Sequence, residues 1–162
     1  MPMPEAVVAI TGASGAQYGV RLVDELLGAG WQVSLIVTSA GAINLDLECG
    51  ITPQDLGRRD GVALEDNSNL AARSASGSAR FDAYVVCPAS GTTVGKIAAG
   101  ISDNLATRSA LVALKERRKL IVVPREAPVS TPHLEAMTRM SAWGVVIPVS
   151  YTHLTLPTIL LV

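Results

Sequence analysis

Apolar runs with no wet face constrain this chain most. Residues 7–10 (VVAI), 32–37 (QVSLIV), 82–87 (DAYVVC), 120–123 (LIVV) and 145–147 (VVI) are short and rich in β-branched side chains. Their apolar residues are consecutive rather than alternating. A strand of that kind needs cover on both sides, which an antiparallel sheet open to water on one face does not provide. Helical patterns separate the runs. Val20, Leu22, Val23, Leu26 and Leu27 form one apolar face with Asp24 and Glu25 off it, and Gly28 and Gly30 stop that helix. Thr38 and Ser39 cap a second helix running to about Glu48. Further helices are predicted over 93–99, from Asn104 to about Arg118, and over 133–143, the first closed by Gly100 and the last by Gly144. Pro88 and Pro148 are expected to end the third and fifth strands. Residues 51–80 carry prolines, glycines, asparagines and serines and read as loop with one short helix. Strand and helix thus alternate, and the expected architecture is a parallel sheet with helices on both faces.

Composition removes several function classes. The chain has 162 residues, of which 49% are hydrophobic and 17% charged, enough for a packed core and against disorder. The formal net charge is −1, so no nucleic-acid-binding surface is expected. The two cysteines, Cys49 and Cys87, are far apart and in no metal-ligand spacing. Cys87 lies in a strand and is expected to be buried and inert. Aromatics make up 4%, too few for a stacking platform. No apolar run has the length of a membrane span, and the start lacks a secretory pattern. A soluble cytoplasmic protein is expected. Residues 1–149 read as one α/β domain. Residues 150–162 (SYTHLTLPTILLV) contain no acidic or basic residue and read as an atypical tail, either an edge strand or a segment foreign to the domain.

Ligands of open parallel sheets sit outside the carboxyl ends of the strands. Four turns lie there. Gly12-Ala13-Ser14-Gly15 follows the first strand, where small residues admit a ligand to the backbone and the next helix offers N–H groups to an anion. It is neither a dinucleotide fingerprint nor a P-loop, and a plain tight turn explains it as well. Thr38-Ser39 follows the second strand and Ser90-Gly91-Thr92-Thr93 the third; each is a helix cap or a polar contact to a ligand. Pro124-Arg125-Glu126-Ala127-Pro128 holds two charges between prolines at the end of the fourth strand. Arg108 and Lys115 share a helix face two turns apart, and with Arg125 they would bring positive charge to a phosphate. Arg117, Arg118 and Lys119 read as a solvated helix end. Glu48 reads as a helix-end carboxylate, and His133 as a cap or core residue. Together these residues predict a phosphate-bearing, nucleotide-like ligand and leave the reaction open.

Residues 10–22 (ITGASGAQYGVRL), 85–90 (VVCPAS), 113–128 (ALKERRKLIVVPREAP) and 133–137 (HLEAM) resemble the UbiX-like flavin prenyltransferases, in order and with similar spacing from about Val7 to Pro148. The resemblance implies a three-layer Rossmann-like or flavodoxin-like fold and a trimer-based homododecamer. It implies transfer of a dimethylallyl group from dimethylallyl phosphate to N5 and C6 of reduced FMN, without metal, giving the prenylated FMN used by UbiD-type decarboxylases. It places Gly12, Ala13 and Ser14 at the flavin, with Ser14 near N5. Thr38, Ser90, Gly91, Thr92, Thr93 and Arg108 become further FMN contacts. Glu48, Lys115 and Arg125 surround the dimethylallyl phosphate, and Glu126 joins a proton relay. After Pro148 the family continues with a Phe-Tyr-His-x-Pro segment and a helix that contribute to the prenyl site. Tyr151 and His153 echo that segment only superficially, so flavin binding is expected to survive better than transfer. Two other functions share the features: an FMN-dependent cysteine decarboxylase, which needs a histidine base that is absent before His133, and a non-catalytic FMN-binding or delivery module.

Overall fold

The structure is a computed structural model and describes residues 3–148. Five parallel strands form the sheet: β1 (Glu5–Ile10), β2 (Gln32–Val37), β3 (Val62–Glu65), β4 (Ala83–Ala89) and β5 (Leu120–Pro124), in the order β3-β2-β1-β4-β5. The helices are α1 (Ala16–Gly28), α2 (Ser39–Cys49), α3 (Pro53–Gly57), α4 (Gly91–Ala98), α5 (Leu105–Lys115) and α6 (Thr131–Ala142), with a 3-10 turn at Arg73–Ala75. Among the described residues no helix is long and apolar enough to cross a membrane.

The two-residue period of a strand explains the two cores. Val7 and Ala9 of β1 face one way and pack with Val86, Val122, Ile97, Leu105 and Met140 of β4, β5, α4, α5 and α6. Val8 and Ile10 face the other way and pack with Leu35, Val23, Leu45 and Leu56 of β2, α1, α2 and α3. Runs such as VVAI are apolar throughout because both of their faces are covered. From β1 the chain builds outward through β2 to β3, then returns to place β4 and β5 on the other side of β1. The order reverses between β1 and β4, which opens a crevice there at the carboxyl edge.

The predicted strands at 32–37 and 120–123 and the predicted helices appear close to their expected bounds; four readings change. Residues 51–80 hold β3 as well as α3 and the 3-10 turn. β3 is a four-residue edge strand whose Ala63 and Leu64 are exposed, so it lacks the all-apolar signal of the inner strands. The expected strand at 145–147 reduces to a single bridge between Ile121 and Val146. Pro88 does not end its strand: β4 continues to Ala89 through a cis Cys87–Pro88 bond, with a register shift against β5 between Val86 and Ala89. A proline has no N–H for the ladder, and such shifts are where central strands tolerate one. Finally, α5 stops at Lys115, and Arg118 is not a solvated helix end. Its guanidinium donates to the Gly77 and Ala79 carbonyls and, at 2.9 Å, to the hydroxyl of buried Tyr84, tying the 77–79 loop to β4. The tail expected at 150–162 lies outside the described residues.

Candidate active site at the carboxyl edge of the sheet

The crevice is held together by Thr11, the residue after β1. It is only 1% exposed. Its Oγ1 donates to the Pro88 carbonyl at 2.7 Å and accepts from the Ser90 N–H at 2.8 Å, while its own N–H donates to the same carbonyl at 3.2 Å. One hydroxyl therefore stitches the ends of β1 and β4 and sets where Ser90 begins α4.

Two adjoining clefts open here. The first, about 360 Å³, is lined by Gly12, Thr38, Ser39, Ala40, Asn67, Ser90, Thr92, Thr93, Lys96 and Asn104. The second, about 290 Å³, is lined by Gly12, Ala13, Ser14, Ser90, Gly91, Arg125, Glu126 and Ala127. Gly12 and Ser90 belong to both, so the clefts share a wall. Gly12 is required by a close approach: a Cβ there would lie 2.4 Å from the Ala40 Cβ.

Three helices begin at the first cleft. Thr38 caps α2 by accepting from the Gly41 N–H at 3.1 Å. Ser90 caps α4 through the Thr93 N–H at 3.2 Å and also bonds the Thr93 hydroxyl at 2.9 Å. Asn104 caps α5 through the Thr107 N–H at 3.0 Å. Asn67 adds a second tie to α5, its side-chain and main-chain oxygens accepting from the Ala106 and Leu105 N–H groups. The positive ends of three helix dipoles and several hydroxyls thus face one space, an arrangement suited to a phosphate.

The helix after the first turn behaves otherwise. The N–H groups of Gly15 and Ala16 both donate to Glu48 Oε2, at 2.9 and 2.7 Å. Gly15 cannot cap α1 with a side chain, and Glu48, reaching across from the end of α2, does so instead. Asn44, one turn earlier, donates to the Ala13 carbonyl at 2.9 Å. The expectation that α1 offers its terminus to an anion is corrected: Glu48 already fills that position, and it lines neither cleft.

Ser14, Arg125 and Glu126 do meet in the second cleft. Arg125 is half-buried; its main-chain N–H bonds the Ala89 carbonyl at 3.2 Å, but its side-chain Nε is buried without a partner. Arg108, one turn into α5, also buries an unpartnered Nε. Lys115 is not brought to Arg125 within one chain. It ends α5 about 15 Å from the Asn104 end, by helix rise, and its exposed ammonium pairs with neighbouring Glu116 at 3.2 Å. His133 is not the α6 cap, which is Ser130. Its ring lies against Gly91, where a Cβ would come 2.2 Å from Cε1. Cys87 is buried, and burial pushes its thiol up to about 11, as an inert strand residue requires. Sequence reading missed Thr11, Asn44, Asn67, Lys96 and Asn104 as parts of the site. Thr11 and Asn67 stand just beyond the ends of β1 and β3, where such a signal was available; Asn44 and Lys96 lie within helices and Asn104 at the start of one, where spacing gave none.

Comparison with known proteins agrees with this geometry. Residues 2–156 match the family model described as Flavoprotein. The chain is 44% identical over 141 residues to the flavin prenyltransferase UbiX of Thermoplasma acidophilum, covering 87% of this chain and 77% of that protein. A crystal structure of AnUbiX (PadA1) in complex with FMN and dimethylallyl pyrophosphate superposes with a TM-score of 0.86 at 33% identity, covering 90% of this chain and 77% of the other. A dodecameric FMN-dependent UbiX-like decarboxylase from Escherichia coli O157:H7 gives a TM-score of 0.87 at 34% identity, covering 96% and 87%. A parallel sheet with its crevice at the β1–β4 reversal, small-residue turns at that crevice and these likenesses lead to one assignment: the chain belongs to the UbiX-type flavin prenyltransferases of the Flavoprotein family.

Proposed function

We propose that this chain transfers a dimethylallyl group from dimethylallyl phosphate to N5 and C6 of reduced FMN. The observation that carries the reading is the pair of adjoining clefts, one facing three helix N-termini and the other holding Arg125 and Glu126. FMN fits the residues present. Its phosphate matches the cleft of Thr38, Ser39, Ser90, Thr92 and Asn104, and its ring matches the small-residue floor of Gly12, Ala13 and Ser14, of which Gly12 has no room for a Cβ beside Ala40. The orphaned Nε atoms of Arg108 and Arg125 are buried donors that await an acceptor.

Reduced FMN supplies the electron-rich ring that receives the five-carbon group. The chain supplies position and charge. Arg125 holds the departing phosphate and stabilises its negative charge as the allylic C–O bond breaks. Ser14 hydrogen-bonds near N5, and Glu126, exposed at the mouth, passes a proton to or from solvent. Gly91, Thr92 and Thr93 fix the α4 terminus against the flavin. Glu48 acts on the site through the 13–16 turn that it pins, and Lys115 serves a site only from another copy in a trimer-based dodecamer. A UbiD-type decarboxylase in the cytoplasm would consume the product. The cysteine-decarboxylase reading is disfavoured because no histidine precedes His133, where that class carries its base.

The test is anaerobic incubation with reduced FMN and dimethylallyl phosphate, followed by mass analysis of the flavin. Addition of a five-carbon unit is expected, and lost when Arg125 is changed to Met. Flavin recovered without added mass from folded, FMN-binding protein would refute the transfer.

A further inference from the structure

We propose that Lys96, held on Asp103 in the free chain, is the side-chain cation that binds the flavin phosphate, and that Asp103 restrains it. The proposal rests on the reading that FMN occupies the crevice. Among the described residues, Lys96 is the one cationic side chain lining the cleft where α2, α4 and α5 begin. Its Nζ lies 2.7 Å from Asp103 Oδ2, and the other Asp103 oxygen accepts from Asn104 Nδ2 at 3.3 Å. Asn104 in turn caps α5 and lines the same cleft. The ammonium is therefore fixed at the rim by a carboxylate next to the α5 terminus.

A half-exposed ion pair of this kind adds little to stability, so pairing alone gives Lys96 no strong purpose. Its address does. Hydroxyls and helix ends supply partial charges, whereas a phosphate dianion carries a full charge that Lys96 offsets. Asp103 presents a like charge to the same dianion. Binding then draws the ammonium from carboxylate to phosphate, and the two partners act on affinity with opposite signs. A pair that merely braced the α4–α5 turn would act with the same sign from either partner.

The experiment compares FMN with riboflavin, which has the same ring and ribityl chain but no phosphate. Lys96→Met is expected to weaken FMN binding roughly tenfold or more, the loss of one charge-assisted hydrogen bond, with riboflavin held within about twofold. Lys96→Arg is expected to restore most of the FMN affinity, and Asp103→Asn to tighten FMN binding several-fold. Riboflavin binding by the variants also reports that the site is intact. The assignment is overturned if Lys96→Met binds FMN as well as wild type, if it loses both flavins equally, or if Asp103→Asn weakens FMN. Wild-type protein that binds neither flavin would sink the FMN reading itself, and this assignment with it.

Discussion

Thr11→Val isolates the joint on which the site depends. Valine has almost the same shape as threonine, so no cavity forms. What goes is the hydroxyl, with one bond donated at 2.7 Å and one accepted at 2.8 Å. Each bond contributes about 0.5–1.5 kcal/mol net, and the Ser90 N–H is left without its partner, so the loss is about 2–3 kcal/mol. The Pro88 carbonyl keeps the Thr11 N–H and is not orphaned. For a chain of this size that corresponds to a melting temperature lower by roughly 5–10 °C. Urea unfolding should show a lower midpoint with an unchanged slope, because the buried surface is the same. FMN affinity should fall as well, since Ser90 is released at the start of α4. A variant within about 0.5 kcal/mol of wild type, with equal FMN affinity, would refute the argument that this hydroxyl sets the register of the two strand ends.

Other consequences follow from single contacts. Gly12→Ala should cost about 1–3 kcal/mol by overpacking against Ala40, and the double change with Ala40→Gly should recover most of it, because the overlap is between those two Cβ positions at 2.4 Å; absence of rescue in urea unfolding would place the clash elsewhere. Glu48→Ala should destabilise by about 0.5–2 kcal/mol, the usual worth of a helix cap, and unchanged stability would contradict its capping of Gly15 and Ala16. Burial holds the Cys87 thiol protonated up to about 11, well above an ordinary thiol. Its contribution is whole below the unfolded thiol's range and is lost as pH rises from about 9 toward 11, as the unfolded state sheds its proton first. Tyr84, also raised by burial, acts in the same direction. Unfolding measured from pH 8 to 10.5 should show wild type losing stability faster than Cys87→Ala.

Much of this fold was legible because inner parallel strands are apolar on both faces and their helices carry caps. Strand β2 and the cap Thr38 stand where pattern and capping chemistry put them, and Asn104, read as the first residue of its helix, is the cap of α5. The failures share a cause. Edge strand β3 is half-exposed and lacks that pattern, and the expected strand at 145–147 makes a single bridge. Charged side chains were the hardest to read, since spacing along a helix says nothing about what another element offers. Arg118 looked solvated yet serves three acceptors, and Glu48, read from its position as a helix-end carboxylate, closes a different helix, α1. Lys115 shares a helix with Arg108, but the helix carries it away from the crevice. The strand-end turns were the dependable signal, because an open parallel sheet puts its crevice there whatever it binds.

On the proposed function, the flavin phosphate lies where α2, α4 and α5 begin, while Glu48 keeps the α1 terminus closed. A crystal structure of the protein with FMN decides this. Phosphate oxygens are expected within hydrogen-bond distance of the Thr38–Ser39, Ser90–Thr92 and Asn104 groups, with the ring beside Ser14 and Arg125. A phosphate bound instead to the Gly15 and Ala16 N–H groups, with Glu48 displaced, would contradict it.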